Sequence, residues 1–186
     1  MKGTPEPLNP SSLFLIGYRC TGKSSVGRSL ADQLKWSFID TDSLIVRQQQ
    51  MSIKEIVGAH GWESFRNMEH RVLKTVCKSK SQVVATGGGI VLDDENVMLM
   101  RQSGRIVWLR AGIETIKSRM LKDKDSRDFR PALTLDNNIL EIEESLQSRE
   151  HIYHRAMDFF VDTDDHSIAA IAEIIIERIK ALDTER

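Results

Sequence analysis

Residues 13–24 read Leu-Phe-Leu-Ile-Gly-Tyr-Arg-Cys-Thr-Gly-Lys-Ser, and this stretch constrains the fold more than any other part of the chain. Four apolar residues, Leu13 to Ile16, stop at Gly17, after which Val26, Leu30 and Leu34 recur with helical spacing. The period changes from strand to helix across a loop, Gly17 to Ser24, that matches GxxxxGK[ST] without interruption. At average residue usage such a match arises on the order of once per 10⁴ positions. A buried strand before it and a helix after it are the neighbours the motif needs. The loop wraps backbone N–H groups around phosphate oxygens, and the helix sets its positive end beneath them. Gly17, Tyr18, Arg19, Cys20, Thr21, Gly22, Lys23, Ser24 and the adjoining Ser25 are therefore the expected nucleotide site. Lys23 is expected to reach the β- and γ-phosphates, and Ser24 to give an oxygen to Mg²⁺. Cys20 puts a side chain in the middle of a loop where small residues ease close approach. If that position needs a positive φ, cysteine is strained there and glycine would not be.

The same alternation continues along the chain. Short apolar strands are expected at 36–39, 82–85, 105–109 and 159–161. Helices are expected near 42–50, 52–59, 63–78, 93–102, 113–122 and 138–157, and a last one places Ile168, Ile171, Ala172, Ile175 and Ile179 on one stripe. Parallel strands need crossover connections and helices supply them, so the fold class is α/β: one domain, a five-stranded parallel sheet flanked by helices. Residues 1–11 hold Pro5, Pro7 and Pro10 and read as a flexible leader; 182–186 read as a C-terminal tail. The domain spans 12–181. Within it, the polar run 122–130 followed by Pro131 reads as a surface excursion, a mobile lid over about 122–136.

Charge narrows the partners. Lys plus Arg number 26 and Asp plus Glu 27, a formal net charge of -1, which gives no general pull toward nucleic acid or an anionic membrane. No apolar run approaches the roughly 20 residues of a membrane span, and the N-terminus lacks the regions of a secretory signal. Cys20 and Cys77 form no CxxC pair, and His151 and His154 have no partners completing a zinc pattern. The chain reads as soluble and cytoplasmic.

On the acceptor side, Asp40-Thr41-Asp42 ends the second strand, where open α/β sheets place their ligands. One carboxylate suits Mg²⁺ held through water and the other suits accepting a hydroxyl proton; an Asp capping the next helix is the competing reading. Thr86-Gly87-Gly88-Gly89 ends the third strand and lets a ligand sit against the backbone. Arg66 and Arg149, from separate helices, could grip one carboxylate. Against this stand a surface ion pair of Arg66 with Glu63 or Glu69, and a merely solvated Arg149.

The series GYRCTGKS, FIDTD, GWESFR, ATGGG, RPAL and REHIYHRA, in this order over nearly all of residues 12–181, resembles shikimate kinase. The resemblance implies a nucleoside-monophosphate-kinase-like P-loop fold and ATP-dependent phosphorylation of the 3-hydroxyl of shikimate, a step toward aromatic amino acids. It implies Asp42 as base on the acceptor hydroxyl, Asp40 with Ser24 at Mg²⁺, and Arg66 with Arg149 on the shikimate carboxylate. Gly87, Gly88 and Gly89 would contact the ring substituents, and Arg130 would come from the lid to the ATP phosphates, joining Lys23 and Asp42 in catalysis. Lys122, Lys124 and Arg127 compete for a lid contact with adenine. The sequence departs from the family at Cys20, commonly Gly, and at RPAL, usually RPLL. The expected partners are shikimate and ATP, with no nucleic acid or membrane, and the expected state is a monomer. The rival expectations are a gluconate or nucleoside monophosphate kinase of the same fold, or a catalytically silent nucleotide-binding regulator.

Overall fold

The structure, a computed structural model, describes residues 12–122 and 138–184. Five parallel strands, β1 (Ser12–Ile16), β2 (Ser37–Asp40), β3 (Gln82–Ala85), β4 (Gly104–Arg110) and β5 (Phe159–Asp162), form one sheet in the order β2-β3-β1-β4-β5. Seven α-helices accompany them among the described residues: α1 (Lys23–Leu34), α2 (Thr41–Gln49), α3 (Ile53–Val76), α4 (Asp94–Ser103), α5 (Ile113–Lys122), α6 (Asn138–Ala156) and α7 (Ile168–Thr184).

Alternation within the strands sorts the core into two layers, as a parallel sheet buried on both faces requires. Phe14, Ile16, Val84, Ile106 and Trp108 face a cluster closed by α3, α4 and α6 through Phe65, Leu73, Met100 and Tyr153. Leu13, Leu15, Val83, Val107 and Leu109 face the other way, against Val26 and Leu30 of α1 and Ile171, Ile175 and Ile179 of α7.

The helices expected at 52–59 and 63–78 meet end to end at Gly61, whose φ of 76° and ψ of 168° break α3 in two. A capping box starts this helix: Ser52 Oγ accepts from the Glu55 N–H, and Glu55 accepts from the Ser52 N–H. The last helix runs through Thr184, so Asp183 is helical rather than part of a tail, and it pairs with Arg105 of β4 at 3.1 Å. The leader 1–11 and lid residues 123–136 lie outside the described residues.

Because all strands run one way, their carboxyl ends share an edge. β1 lies between β3 and β4, and Asp40 of β2 pairs with Ala85 of β3, which pairs with Leu15 of β1. The loop from Gly17, the Asp40-Thr41-Asp42 segment and the triple glycine therefore emerge side by side, at the point where the chain's connections diverge.

Candidate active site

The loop between β1 and α1 is built by its own side chains. Gly17 adopts φ 139° and Gly22 φ 95°, and a Cβ on Gly17 would overlap the Leu109 carbonyl of β4, so only glycine fits there. Thr21 Oγ1 donates to the Tyr18 carbonyl at 2.8 Å. Lys23 is buried, with Nζ donating to the carbonyls of Gly17 at 2.9 Å and Tyr18 at 2.7 Å. Ser25 is exposed in the first turn of α1. Cys20 sits at φ 60°, the left-handed region in which a cysteine is strained. Its side chain packs on a small apolar cluster of Tyr18, Ala111, Ile116 and Ile142, which ties the loop to α5 and α6.

Asp40 uses both of its oxygens. Its Oδ1 accepts from the Ser43 N–H at 3.0 Å, capping α2, while Oδ2 accepts from Ser24 Oγ at 2.7 Å. The two oxygen donors expected at Mg²⁺ are thus adjacent, and hard oxygen ligands of this kind suit that ion. The next residue, Thr41, is fully buried and accepts the Gly87 N–H at 3.1 Å. That bond locks β2's exit to β3's exit, and it takes the Gly87 N–H away from any ligand.

Beside the loop lies a cavity of about 270 Å³, lined among others by Arg19, Asp42, Arg66, Glu69, Gly88 and Arg149. This volume suits one small molecule rather than a polymer. Arg66 does pair with Glu69, the bland expectation, yet Glu69 is only 1% exposed and Arg66 31%. The pair therefore forms part of the cavity wall. Two of the three glycines, Gly87 and Gly89, make room for it. A Cβ on Gly87 would overlap Glu69 Oε1 and stand 2.7 Å from Asp42 Oδ1, and one on Gly89 would overlap the Arg66 guanidinium. Arg149 enters from α6, its Cζ 5.9 Å from the centre of the Tyr18 ring. Tyr153, one turn further, donates to the Gly88 carbonyl at 2.6 Å and stacks on Trp108 at 5.6 Å between ring centroids. Burial pushes the Tyr153 phenol well above its ordinary range, with the Arg149 charge pulling weakly the other way.

The structure thus brings Asp42, Arg66, Arg149 and the triple glycine to one cavity, while Lys23 folds back on the loop carbonyls and Ser24 pairs with Asp40. Arg130, Lys124 and Arg127 lie outside the described residues; Lys122 is exposed at the end of α5. Two residues escaped the sequence reading. Glu69 looked like a surface partner because an i,i+3 pair usually is one. Arg119 of α5 donates to the carbonyl of Cys20 at 3.3 Å, to Thr163 Oγ1 at 3.0 Å and to the Thr163 carbonyl at 2.6 Å. It braces the loop against the exit of β5, and its partners are too distant in sequence to leave a local signal.

A family model described as shikimate kinase matches residues 19–180. The chain belongs to the shikimate kinase family. Within that family it is 38% identical over 165 residues to the shikimate kinase of Caldanaerobacter subterraneus subsp. tengcongensis, covering 89% of this chain and 94% of that protein. It is 39% identical over 172 residues to the shikimate kinase of Moorella thermoacetica, covering 92% and 96%. Among solved structures, shikimate kinase from Acinetobacter baumannii in complex with shikimate superposes with a TM-score of 0.86 at 28% identity, over 94% of this chain and 95% of that one. Shikimate kinase membership matches the geometry, since those family motifs that fall among the described residues supply the phosphate-binding loop and the cavity beside it.

Proposed function

We propose that this chain transfers the γ-phosphoryl group of ATP to the 3-hydroxyl of shikimate, giving shikimate 3-phosphate and ADP. The observation that carries the reading is one small cavity in which a carboxylate, Asp42, and two arginines from different helices, Arg66 and Arg149, meet beside the phosphate-binding loop. Arg66 and Arg149 bind the acceptor's carboxylate, which fixes the distance of its hydroxyl from the loop. Asp42 accepts the hydroxyl proton as the oxygen attacks phosphorus in line; the new O–P bond forms as the bond to ADP breaks. Lys23 exchanges its carbonyl partners for phosphate oxygens, and Arg130 adds positive charge from the lid. Ser24 and Asp40, the latter through water, would hold Mg²⁺, which would supply charge neutralisation to the phosphates. Glu69 is a positioning residue, orienting the Arg66 guanidinium through their ion pair.

No helix among the described residues is long and apolar enough to cross a membrane. We read the enzyme as a cytoplasmic monomer serving aromatic amino acid biosynthesis. The test is ADP release, coupled to NADH oxidation, with shikimate, quinate, gluconate and AMP offered separately. Strong turnover with shikimate alone is expected. Preference for gluconate or AMP would reassign the acceptor, and stimulation by none would leave a nucleotide-binding regulator.

A further inference from the structure

Asn96 of α4 is only 3% exposed, and neither it nor His70 lines the acceptor cavity. A buried side-chain amide is costly unless both of its ends are bonded, and here both are. Asn96 Nδ2 donates to the Ile90 carbonyl at 3.2 Å, and Oδ1 lies 2.9 Å from His70 Nδ1. Because the amide nitrogen is committed to a carbonyl, the oxygen faces the imidazole, and Nδ1 carries the hydrogen. The carboxylates of Asp93 and Glu95 stand 3.8 and 3.9 Å from Nδ1 and Nε2, so the imidazole sits among acceptors. These two bonds close a circuit. His70 lies one turn beyond Arg66 on α3, the spacing that puts both on one face of a helix. Ile90 follows Gly89 and opens a short 3-10 turn, Ile90–Leu92. The N–H groups of Ile90 and Leu92 donate to the Gly87 and Gly89 carbonyls at 3.2 and 3.1 Å, so the turn and the triple glycine are one hydrogen-bonded unit. The Arg66 guanidinium rests against Gly89, where a Cβ would stand 2.5 Å from Cζ. The path leaves α3 at His70, passes through Asn96 and the glycine turn, and returns to α3 at Arg66. Every link is a hydrogen bond or a close contact, so the circuit fixes how far the glycine backbone stands from the guanidinium.

We infer that Asn96 is a positioning residue for phosphoryl transfer: it ties the glycine turn to α3 through His70, and so holds Gly89 at the distance from Arg66 that acceptor binding requires. Asn96 acts through Gly89 and Arg66. This rests on Arg66 as a residue that binds the acceptor.

The test uses the full chain in the coupled ADP assay, with shikimate and ATP varied in turn. Asn96→Asp keeps the size and the acceptor toward His70 but loses the donor to the Ile90 carbonyl. His70→Ala opens the other end, at a side chain 26% exposed and therefore open to truncation. Each should lower kcat/KM for shikimate about tenfold and leave the ATP KM within about twofold, since a small misplacement of a positioning group is steep in rate. The double variant should lose about as much as the worse single one, because either break opens the same circuit. His70→Asn, whose amide N–H can stand where Nδ1–H does, should return to within about threefold of wild type. In an Arg66→Ala background, Asn96→Asp and His70→Ala should each change kcat/KM by less than about twofold. Should Asn96→Asp melt below the assay temperature, the two His70 variants decide alone. Losses that persist without Arg66, or that multiply in the double variant, would show general support of the fold and overturn the inference. Single variants within about twofold of wild type would overturn it too. If the wild type releases no ADP in response to shikimate, the acceptor reading itself fails and the inference with it.

Discussion

Gly89→Ala tests whether the triple glycine exists to admit the Arg66 side chain. The backbone at Gly89 has φ −103° and ψ 3°, open to alanine, so the substitution introduces no left-handed strain. The added Cβ would stand 2.5 Å from Arg66 Cζ, whereas ordinary contact is about 3.5 Å, so the guanidinium must retreat by about 1 Å. Arg66 is 31% exposed and ends a flexible side chain, so it has somewhere to go and the fold need not suffer. Alanine also narrows the unfolded ensemble, an offset of about 0.4–1 kcal/mol. The melting temperature should therefore stay within about 3 °C of wild type. A displacement of about 1 Å in a group that positions the acceptor is worth on the order of 10²-fold in rate, or about 2.7 kcal/mol. The expected result is a kcat/KM for shikimate lowered about 100-fold with the ATP KM nearly unchanged, measured by the coupled ADP assay. A folded Gly89→Ala protein within threefold of wild type would refute the link between glycine, arginine and acceptor. A large loss of melting temperature would refute the steric reasoning instead.

Asp42→Asn should lower kcat by about 10²–10⁴-fold and leave ATP affinity nearly intact, since it removes the proposed general base; near-wild-type turnover would exclude Asp42 from that role. Tyr153 keeps its proton in the folded protein to a higher pH than the unfolded chain does, so above about pH 10 unfolding releases a proton and stability falls as pH rises. Urea denaturation should show this alkaline loss in wild type and a shallower one in Tyr153→Phe, which also loses about 1 kcal/mol at pH 8 with the Gly88 hydrogen bond; parallel pH slopes would contradict the assignment. Cys20 should be alkylated more slowly when ATP is bound, as mass spectrometry of iodoacetamide-treated protein would show, and equal rates would place the thiol away from the nucleotide.

The parts of this site that were readable in sequence are those written in contiguous residues. Gly17 to Ser24 declares itself because one short loop supplies donors, lysine and hydroxyl together. Asp40 and Asp42 were visible as a pair; the cap that competed with a functional reading is made by one Asp40 oxygen, while the other meets Ser24, a bond the sequence did not announce. Convergence was not visible. Arg66 and Arg149 meet only because α3 and α6 pack on the same face of the sheet, and Arg119 reaches across 99 residues to Cys20. The glycine run was readable as a place where a ligand can sit against the backbone. That Gly87 gives its N–H to Thr41, and that Gly87 and Gly89 leave room for neighbouring side chains, was not.

The two carbonyls bound by Lys23 change how its substitution should be interpreted. The ammonium acts as a keystone, holding the first turn of the loop in shape from inside. Lys23→Met deletes the proposed phosphate contact and a structural support in the same atom. Weak nucleotide binding by that variant should therefore arrive with a lowered melting temperature measured without any nucleotide. The size of that drop separates the share of the lysine's conservative chemistry that builds the binding site from the share that acts on what binds there.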